Sequence, residues 1–511
     1  MQALETFFSG GGWAAEGNEA CRGMAGVCRR SYGGAALGGG FHGVSGDFTP
    51  EQLNRVVECL GEGSVAYMEP DGVVYKAEGP PQVPEDPILG ALWKVQQKSF
   101  GEQDGAAAAP APAAAAGAGE GAGARGETPR AAAEAEALRG LASGSREDAG
   151  LLPPGASALR VRAFGPQEEE GKRQQNLHSA LWNLDRIDQR SLPLDGQFTY
   201  SESDGGRGVT VYVVDSGLYR DHKEFAPWES GPTRAHWGYD FVDDDDEPED
   251  CDGHGTHIAS TAVGRTVGVA KEAHVVGVRV LDCAGSGSIS DVVAALDWVS
   301  RNRIPGPAVV TLSLGVSLGQ WSRSLEDSVR SLVRDQGVMV VVASGNSAVD
   351  SCFVAPGNVE ETLTVAASDL VTKFSSSDVQ AAASGSREGL YRWSNTGSCV
   401  DLFAPGVDIY AACGGSGRCQ GHVTPSSYAW ASGTSMAVPL VAGVAANYLA
   451  SHPGAAPDHV KQVILEGATE GRLESPHLMP GSPNRVLYSK LLDGTAGAEP
   501  SLSTREFLGG G

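Results

Sequence analysis

The sequence predicts an α/β fold with a mostly parallel central sheet covered on both faces. Two observations carry this. Apolar, β-branched runs recur with little polar alternation: VTVYVVD at 209–215, HVVGVRVL at 274–281, AVVTLSLG at 308–315, VMVVVASGN at 338–346 and ETLTVAAS at 361–368. Amphipathic segments separate some of them, SDVVAALDWVSRN at 290–302 and SLEDSVRSLVRDQG at 324–337. Strands that are apolar on both sides need cover on both sides, and helices between strands are the usual parallel crossovers. In such sheets chemistry gathers at the carboxyl ends of the strands.

The chain of 511 residues is longer than one core usually organises, so one large domain with additional segments is expected. Residues 1–39 are poorly defined, and no strand is recognisable in residues 1–25. Residues 40–78 read as a small α+β piece. FHGVSGDF is strand-like; TPEQLNRVVECLG is a helix with Thr49 as N-cap and Pro50 at its first position; VAYMEPDGVVYK returns to strand. Leu53, Val56, Val57 and Leu60 share one face of that helix. From 79 to 176 the chain is rich in Ala, Gly, Pro and Glu and has no pattern that buries a core, so it reads as a flexible linker. The large domain spans 177–493, and 494–511 is a disordered tail. Residues 372–391 form a Ser- and Ala-rich insertion.

A formal net charge of −25 and an isoelectric point near 4.8 exclude the basic surface that nucleic-acid binding requires. No run of eighteen apolar residues occurs, so no membrane span is expected. The first residues show no basic stretch followed by an apolar run, so the expectation is either a protein that is not secreted or an incomplete N-terminus. The economical expectation is a chain that begins late; the rival is a true isoform that matures inefficiently.

Serine-dependent acyl transfer needs a hydroxyl, a base to take its proton, and a carboxylate to orient that base. VVDSG places Asp215 at a strand end, GHGTHIA places His254 at a helix start, and SGTSMAVPLVAG places Ser435 at another helix start. A helix N-terminus offers free N–H groups and a favourable dipole to a developing oxyanion. Asn346 in VASGN is the candidate second donor, a kind of group worth roughly 2.7–4 kcal/mol of transition-state stabilisation. Each segment alone has an ordinary explanation: a turn, a capped helix, or for HGTH a metal pair. Their joint order and context point to catalysis.

These segments, together with WNLDRIDQRSLPLDG, VRVLDCAGSGS, VVTLSLG and SCVDLFAPG, resemble the subtilases and specifically their proteinase K-like branch. The resemblance spans about 177–493. It implies the subtilisin-like three-layer fold and a serine endopeptidase acting through an acyl-enzyme, with broad specificity and an apolar or aromatic preference before the cut. The family order Asp, His, Ser matches. The first His of HGTH, His254, is then catalytic and His257 a structural neighbour. Ser313, Leu314 and Gly315 line the primary pocket, with Gly285, Ser286 and Gly287 as the facing edge of the groove. Val438, Pro439 and Leu440 depart from the usual motif after the serine, and Ile258 replaces a cysteine common in the branch; neither bears on the mechanism.

The resemblance also implies structural Ca²⁺. Asp185, Asp188, Gln189 and Asp195 would make one site; Asp401 with the carbonyls of Glu360 and Thr362 would make a second. The acidic run DDDDEPED at 243–250 is left unassigned, a solvated loop being the commoner explanation. Cys251 with Cys283 and Cys352 with Cys399 stand in contexts that resemble disulfide positions of related proteases. Cys413 and Cys419 could close a small loop, and Cys21, Cys28 and Cys59 have no assigned partner. Burial as free thiols is the alternative; paired use favours an oxidising, extracellular compartment.

Residues 43–71 resemble the later half of the inhibitory propeptide of subtilases. The expectation is therefore a secreted, monomeric zymogen inhibited by its own propeptide, acting on polypeptides and cut in or just after the linker. The rival from another class is a catalytically silent subtilase-fold binding protein. An aminopeptidase or amidase with the same triad is a further enzyme alternative.

Overall fold

The computed structural model describes residues 3–8, 28–33, 42–47, 49, 52, 65–78, 172–177, 179–201, 205–227, 232–316, 321–371, 387–416, 418–419, 423–475 and 477–491. All belong to one compact unit. Most of the expected linker, the tail, Cys21, Cys59 and the body of the 49–61 helix lie outside them.

The N-terminal piece is a four-stranded antiparallel sheet, β1 (Ala3–Phe8), β2 (Cys28–Gly33), β3 (His42–Asp47) and β4 (Val65–Pro70), ordered β2-β3-β1-β4. A strand was not expected before residue 26, yet β1 is interior, pairing Ala3 with Asp47 on one side and Leu4 with Pro70 on the other. ALETFF has no clean alternation, and its Ala, Leu and Glu suit a helix equally well; pairing on both edges decides its form. Thr49 and Gln52 cap each other reciprocally: the Thr49 N–H donates to Gln52 Oε1 at 2.7 Å and the Gln52 N–H to Thr49 Oγ1 at 3.2 Å.

The large domain is built on a ten-stranded sheet. Its parallel part runs β9 (Ala235–Asp240), β10 (His274–Arg279), β8 (Thr210–Asp215), β12 (Ala308–Leu312), β14 (Met339–Ala343), β15 (Leu363–Val371) and β17 (Leu402–Pro405). The short strands β20 (Thr469–Glu470) and β21 (Arg485–Val486) extend it beyond β17, and β16 (Arg387–Leu390) lies antiparallel on β15. Two hairpins lie apart: β6 (Lys172–Asn176) with β7 (Gln197–Ser201), and β18 (Ile409–Ala412) with β19 (Tyr428–Ala431). Residues 172–176, expected as linker, are thus strand.

The alternation along β8 shows how the sheet is covered. Val211 and Val213 join the core that holds α2 (His254–Val263) and α5 (Thr434–Ser451), whereas Tyr212 and Val214 join the core of α3 (Ile289–Asn302) and α4 (Arg323–Arg334). Strands with period two, buried on both faces, give the three layers. The short α1 (Trp182–Ile187) precedes the sheet and α6 (Pro457–Gly467) follows α5. Among the described residues only α5 is long and apolar enough to cross a membrane, and it is buried within the core.

After β8 the chain fills one side of the sheet with β9 and β10, then crosses to β12 and continues outward on the other. The crevice therefore opens between the carboxyl ends of β8 and β12.

Candidate active site

Asp215 is the last residue of β8 and fully buried. Its Oδ1 accepts the Ser216 N–H and lies 2.7 Å from His254 Nδ1. A carboxylate only accepts, so Nδ1 carries the shared proton and Nε2 of the neutral ring is left as a base. His254 opens α2. The turn before it is braced by Asp250, whose carboxylate accepts Ser216 Oγ, the Gly253 N–H, and both the N–H and hydroxyl of Thr256. Asp250 ties the turn after Asp215 to the first turn of the His254 helix. The reading of 243–250 as a solvated run missed it; burial pushes its carboxyl up despite those four donors.

Ser435 is the second residue of α5. Its N–H donates to the Ala77 carbonyl at 3.1 Å, and its Oγ donates to the Ser313 carbonyl at 2.9 Å. Asn346 follows the end of β14, and its Oδ1 accepts the Thr434 N–H at 3.0 Å. That bond leaves Asn346 Nδ2 buried without a partner among the described residues, as is His254 Nε2. A side chain at Gly433 would meet the Ala77 carbonyl oxygen at 2.6 Å, Asn346 Nδ2 at 3.0 Å and Glu78 Cα at 3.0 Å, so these three atoms converge on one point. His257 makes a different contact, its Nε2 donating to the Ile409 carbonyl at 3.0 Å; burial first, then the Arg418 charge, holds it neutral with a pKa of about 3.

The groove contains a segment of the chain itself. β5 (Val73–Lys76) lies antiparallel between β11 (Ser286–Ser288) and β13 (Leu314–Val316). Tyr75 faces Ser286 on one side and Gly315 on the other, and Val74 faces Gly287 and Val316. The Lys76 N–H donates to the Gly285 carbonyl at 3.1 Å and the Ala77 N–H to Ser313 at 2.9 Å. All six groove residues expected from the sequence therefore flank residues 73–77. Gly285 has φ 78, a left-handed conformation that favours glycine, and a Cβ there would lie 2.6 Å from the Lys76 side chain.

Charged contacts fix the segment at both ends. The Glu69 carboxylate accepts the N–H groups of Arg323 and Ser324 at the start of α4, and Asp71 accepts the N–H and hydroxyl of Ser290 at the start of α3. Anions at helix N-termini are stabilised by free N–H groups and the dipole. Lys76 Nζ lies 2.6 Å from Asp252 Oδ2, and Glu78 makes a two-pronged pair with Arg418. Burial pushes the Glu78 carboxyl up, but the Arg418 hydrogen bonds and charge, with His254 and Lys76, outweigh it and hold the pKa at about 2.

The two expected metal sites differ. Asp185, Asp188 and Asp195 each bring a carboxylate oxygen within 4.8 Å of the others. Burial, then mutual repulsion, pushes Asp185 to about 6; burial likewise pushes Asp188 to about 6. Lys490 Nζ lies 3.4 Å from Asp188 Oδ2 and offsets only part of the charge, so the three converging carboxylates, two of them buried, still suit a hard cation. Gln189 braces the same loop, its Nε2 donating to the Pro193 carbonyl at 2.8 Å. At the second site Lys461 Nζ donates to the carbonyls of Glu360 at 2.8 Å and Thr362 at 2.7 Å, and to Asp401 Oδ2 at 2.9 Å. The expected calcium position is filled by an ammonium from α6, so those three oxygens do not fit a Ca²⁺ site in this chain.

Disulfides join Cys251 to Cys283, Cys352 to Cys399 and Cys413 to Cys419. The last closes the loop that carries Arg418, a residue no sequence motif marked.

A buried carboxylate–imidazole pair at the carboxyl end of a parallel strand, a serine opening a buried helix and a strand-binding groove are the parts a serine hydrolase uses. Residues 206–486 match peptidase S8, the subtilase family, and the chain belongs to that family, whose members are serine endopeptidases. It is 42% identical over 324 residues to the alkaline serine exoprotease A of Vibrio alginolyticus, covering 63% of this chain and 53% of that protein. It is 42% identical over 329 residues to an extracellular serine proteinase of Thermus sp. (strain Rt41A), covering 64% and 68%. Thus the chain spans about half the length of the Vibrio relative. A cold-adapted subtilisin-like serine proteinase of known crystal structure superposes with a TM-score of 0.51 at 40% identity, over 62% of this chain and 99% of that one.

Proposed function

We propose that the protein is a serine endopeptidase made as a zymogen, with Asp215, His254 and Ser435 as its triad and the Ala77–Glu78 bond as its maturation site. The observation that supports this best is the Ala77 carbonyl, which accepts the Ser435 N–H while Asn346 Nδ2 stands unpartnered beside the same point. That bond lies immediately ahead of the linker in or after which the cut was expected.

In this reading Ser435 Oγ turns from the Ser313 carbonyl toward His254 Nε2, gives it the proton and attacks the carbonyl carbon. The resulting oxyanion is held by the Ser435 N–H and Asn346 Nδ2. The bond to the Glu78 nitrogen breaks as His254 protonates the leaving amine. Water, deprotonated by His254, then attacks the acyl-enzyme; Ser435 Oγ leaves and regains the proton. Asp215 keeps the imidazole in the required tautomer throughout.

Asp185, Asp188 and Asp195, with Gln189 bracing their loop, would hold a structural Ca²⁺, which supplies charge compensation and no chemistry. The disulfides and the names of the relatives support a secreted protein, and a monomer is the expected state. A fluorophosphonate should label Ser435 of the matured protein, and the new N-terminus should be Glu78. Absence of labelling, or intact precursor after prolonged incubation, counts against the reading and for a silent binding protein.

A further inference from the structure

We infer that Arg418 makes the position after the cut selective for an acidic residue, so that the enzyme's preferred substrates carry Asp or Glu there. This rests on the endopeptidase reading and on Ala77–Glu78 as the bond presented to Ser435; it goes beyond both by assigning a subsite.

If the bond after Ala77 is the one cut, Glu78 is the first residue beyond it. Its two carboxylate oxygens meet the two terminal nitrogens of Arg418, the fork geometry in which guanidinium recognises carboxylate far better than an ammonium would. Arg418 is 9% exposed in this contact, so the pair is screened little by solvent.

Its position is built. The Cys413–Cys419 disulfide closes the loop, the Arg418 N–H donates to the Asp252 carbonyl at 3.3 Å, and the Cys419 N–H donates to Gly415 at 3.0 Å. A Cβ on Gly414 would meet Thr256 Oγ1, in the first turn of the His254 helix, at 2.2 Å, and one on Gly415 would meet the Asp252 carbonyl carbon, in the turn before it, at 2.2 Å. A guanidinium carried on a loop clamped to the helix of the catalytic histidine is a fixed feature of the groove.

Asp252 adds the opposite preference on the other side of the bond. It accepts Lys76, two residues before the cut, and stands 3.7 Å from Arg418. Between them Ala77 fills a position only 7% exposed. Residues 76–78 thus spell basic, small, acidic, with Lys76 and Glu78 each opposite a group of the other sign.

The test has two arms. Internally quenched peptides based on VVYKAEGP are cut by the matured protein, and kcat/KM is compared when Glu at the position after the cut is replaced by Gln or Lys. Tenfold or greater loss with Lys is expected, with Arg418→Glu inverting the order of Glu and Lys. In the full chain, Glu78→Lys should slow appearance of the new N-terminus tenfold or more, and Glu78→Lys combined with Arg418→Glu should restore it. Equal rates for the Glu and Lys peptides on wild-type protein overturn the inference without any variant having to fold, as does an Arg418→Glu protein that labels with fluorophosphonate yet keeps the wild-type preference. A wild-type protein that neither labels nor cuts any peptide instead overturns the endopeptidase reading on which the inference rests.

Discussion

The Lys461 ammonium lies 2.8 Å from Asp401 Oδ1 and also holds the carbonyl oxygens of Glu360 and Thr362. A side chain borne by a helix does there what a bound cation would do. It neutralises a carboxylate that burial pushes up and that Lys461 pulls back down. Lys461→Ala should cost about 1.5–3 kcal/mol, the usual value of hydrogen bonds to a charged group. Millimolar calcium should recover part of that loss in the variant while acting on wild type only through the Asp185 site. Chemical denaturation with and without calcium reads both effects; a variant as stable as wild type would sink the assignment.

At Asp185 and Asp188 burial raises the folded pKa to about 6, well above the ordinary aspartate value. Carboxyls raised by folding favour the folded state below their unfolded pKa, and that advantage disappears as pH rises through the folded value. The chelated protein should therefore lose stability from this cluster between about pH 4 and pH 6 and lose no more from it at higher pH. Calcium, which binds the ionised form, should remove the loss, and its increment in Tm should shrink as pH falls through 6. A calcium increment independent of pH across that window would contradict the site.

On the proposed mechanism, Asn346→Ala removes one of two oxyanion donors. The expected result is a 100- to 1,000-fold fall in kcat, or about 2.7–4 kcal/mol, with KM little changed because the donor acts in the transition state. A change confined to KM in steady-state assays would place Asn346 in ground-state binding instead.

Arg186 and Glu388 form an ion pair in which both side chains are almost completely buried, 1% and 2% exposed. Glu388→Ala leaves a guanidinium stranded and should cost about 3–5 kcal/mol. The double change Arg186→Met with Glu388→Leu should recover much of it, measured as the denaturation midpoint. Additive losses in the double variant would mean that the pair is not the source of the effect.

The proposed triad residues could be singled out because each sits in a short segment whose backbone form is set locally: a strand end at Asp215 and helix starts at His254 and Ser435. The parallel strands were legible for the same reason, as unbroken β-branched runs. What sequence concealed depends on partners distant in the chain. β1 becomes a strand only between β3 and β4. AHWGYD is polar enough to pass for a loop until it pairs with β10 at the sheet edge. Lys461 stands 60 residues beyond Asp401, on a helix whose exposed face gives no reason to single out one lysine. Arg418 lies 340 residues from Glu78, and its loop reads as an ordinary Gly- and Ser-rich turn.

The three-stranded arrangement around β5 has a consequence for the onset of activity. While the chain is continuous, its own segment is presented to the groove at an effective concentration on the order of millimolar, and a dissolved peptide competes poorly. On the proposed cut at Ala77–Glu78 the occupant would become a separate molecule and its hold on the groove a matter of mass action. A crowded preparation and a dilute one of the same protein would then differ in activity, so activation becomes a question of volume as well as of chemistry.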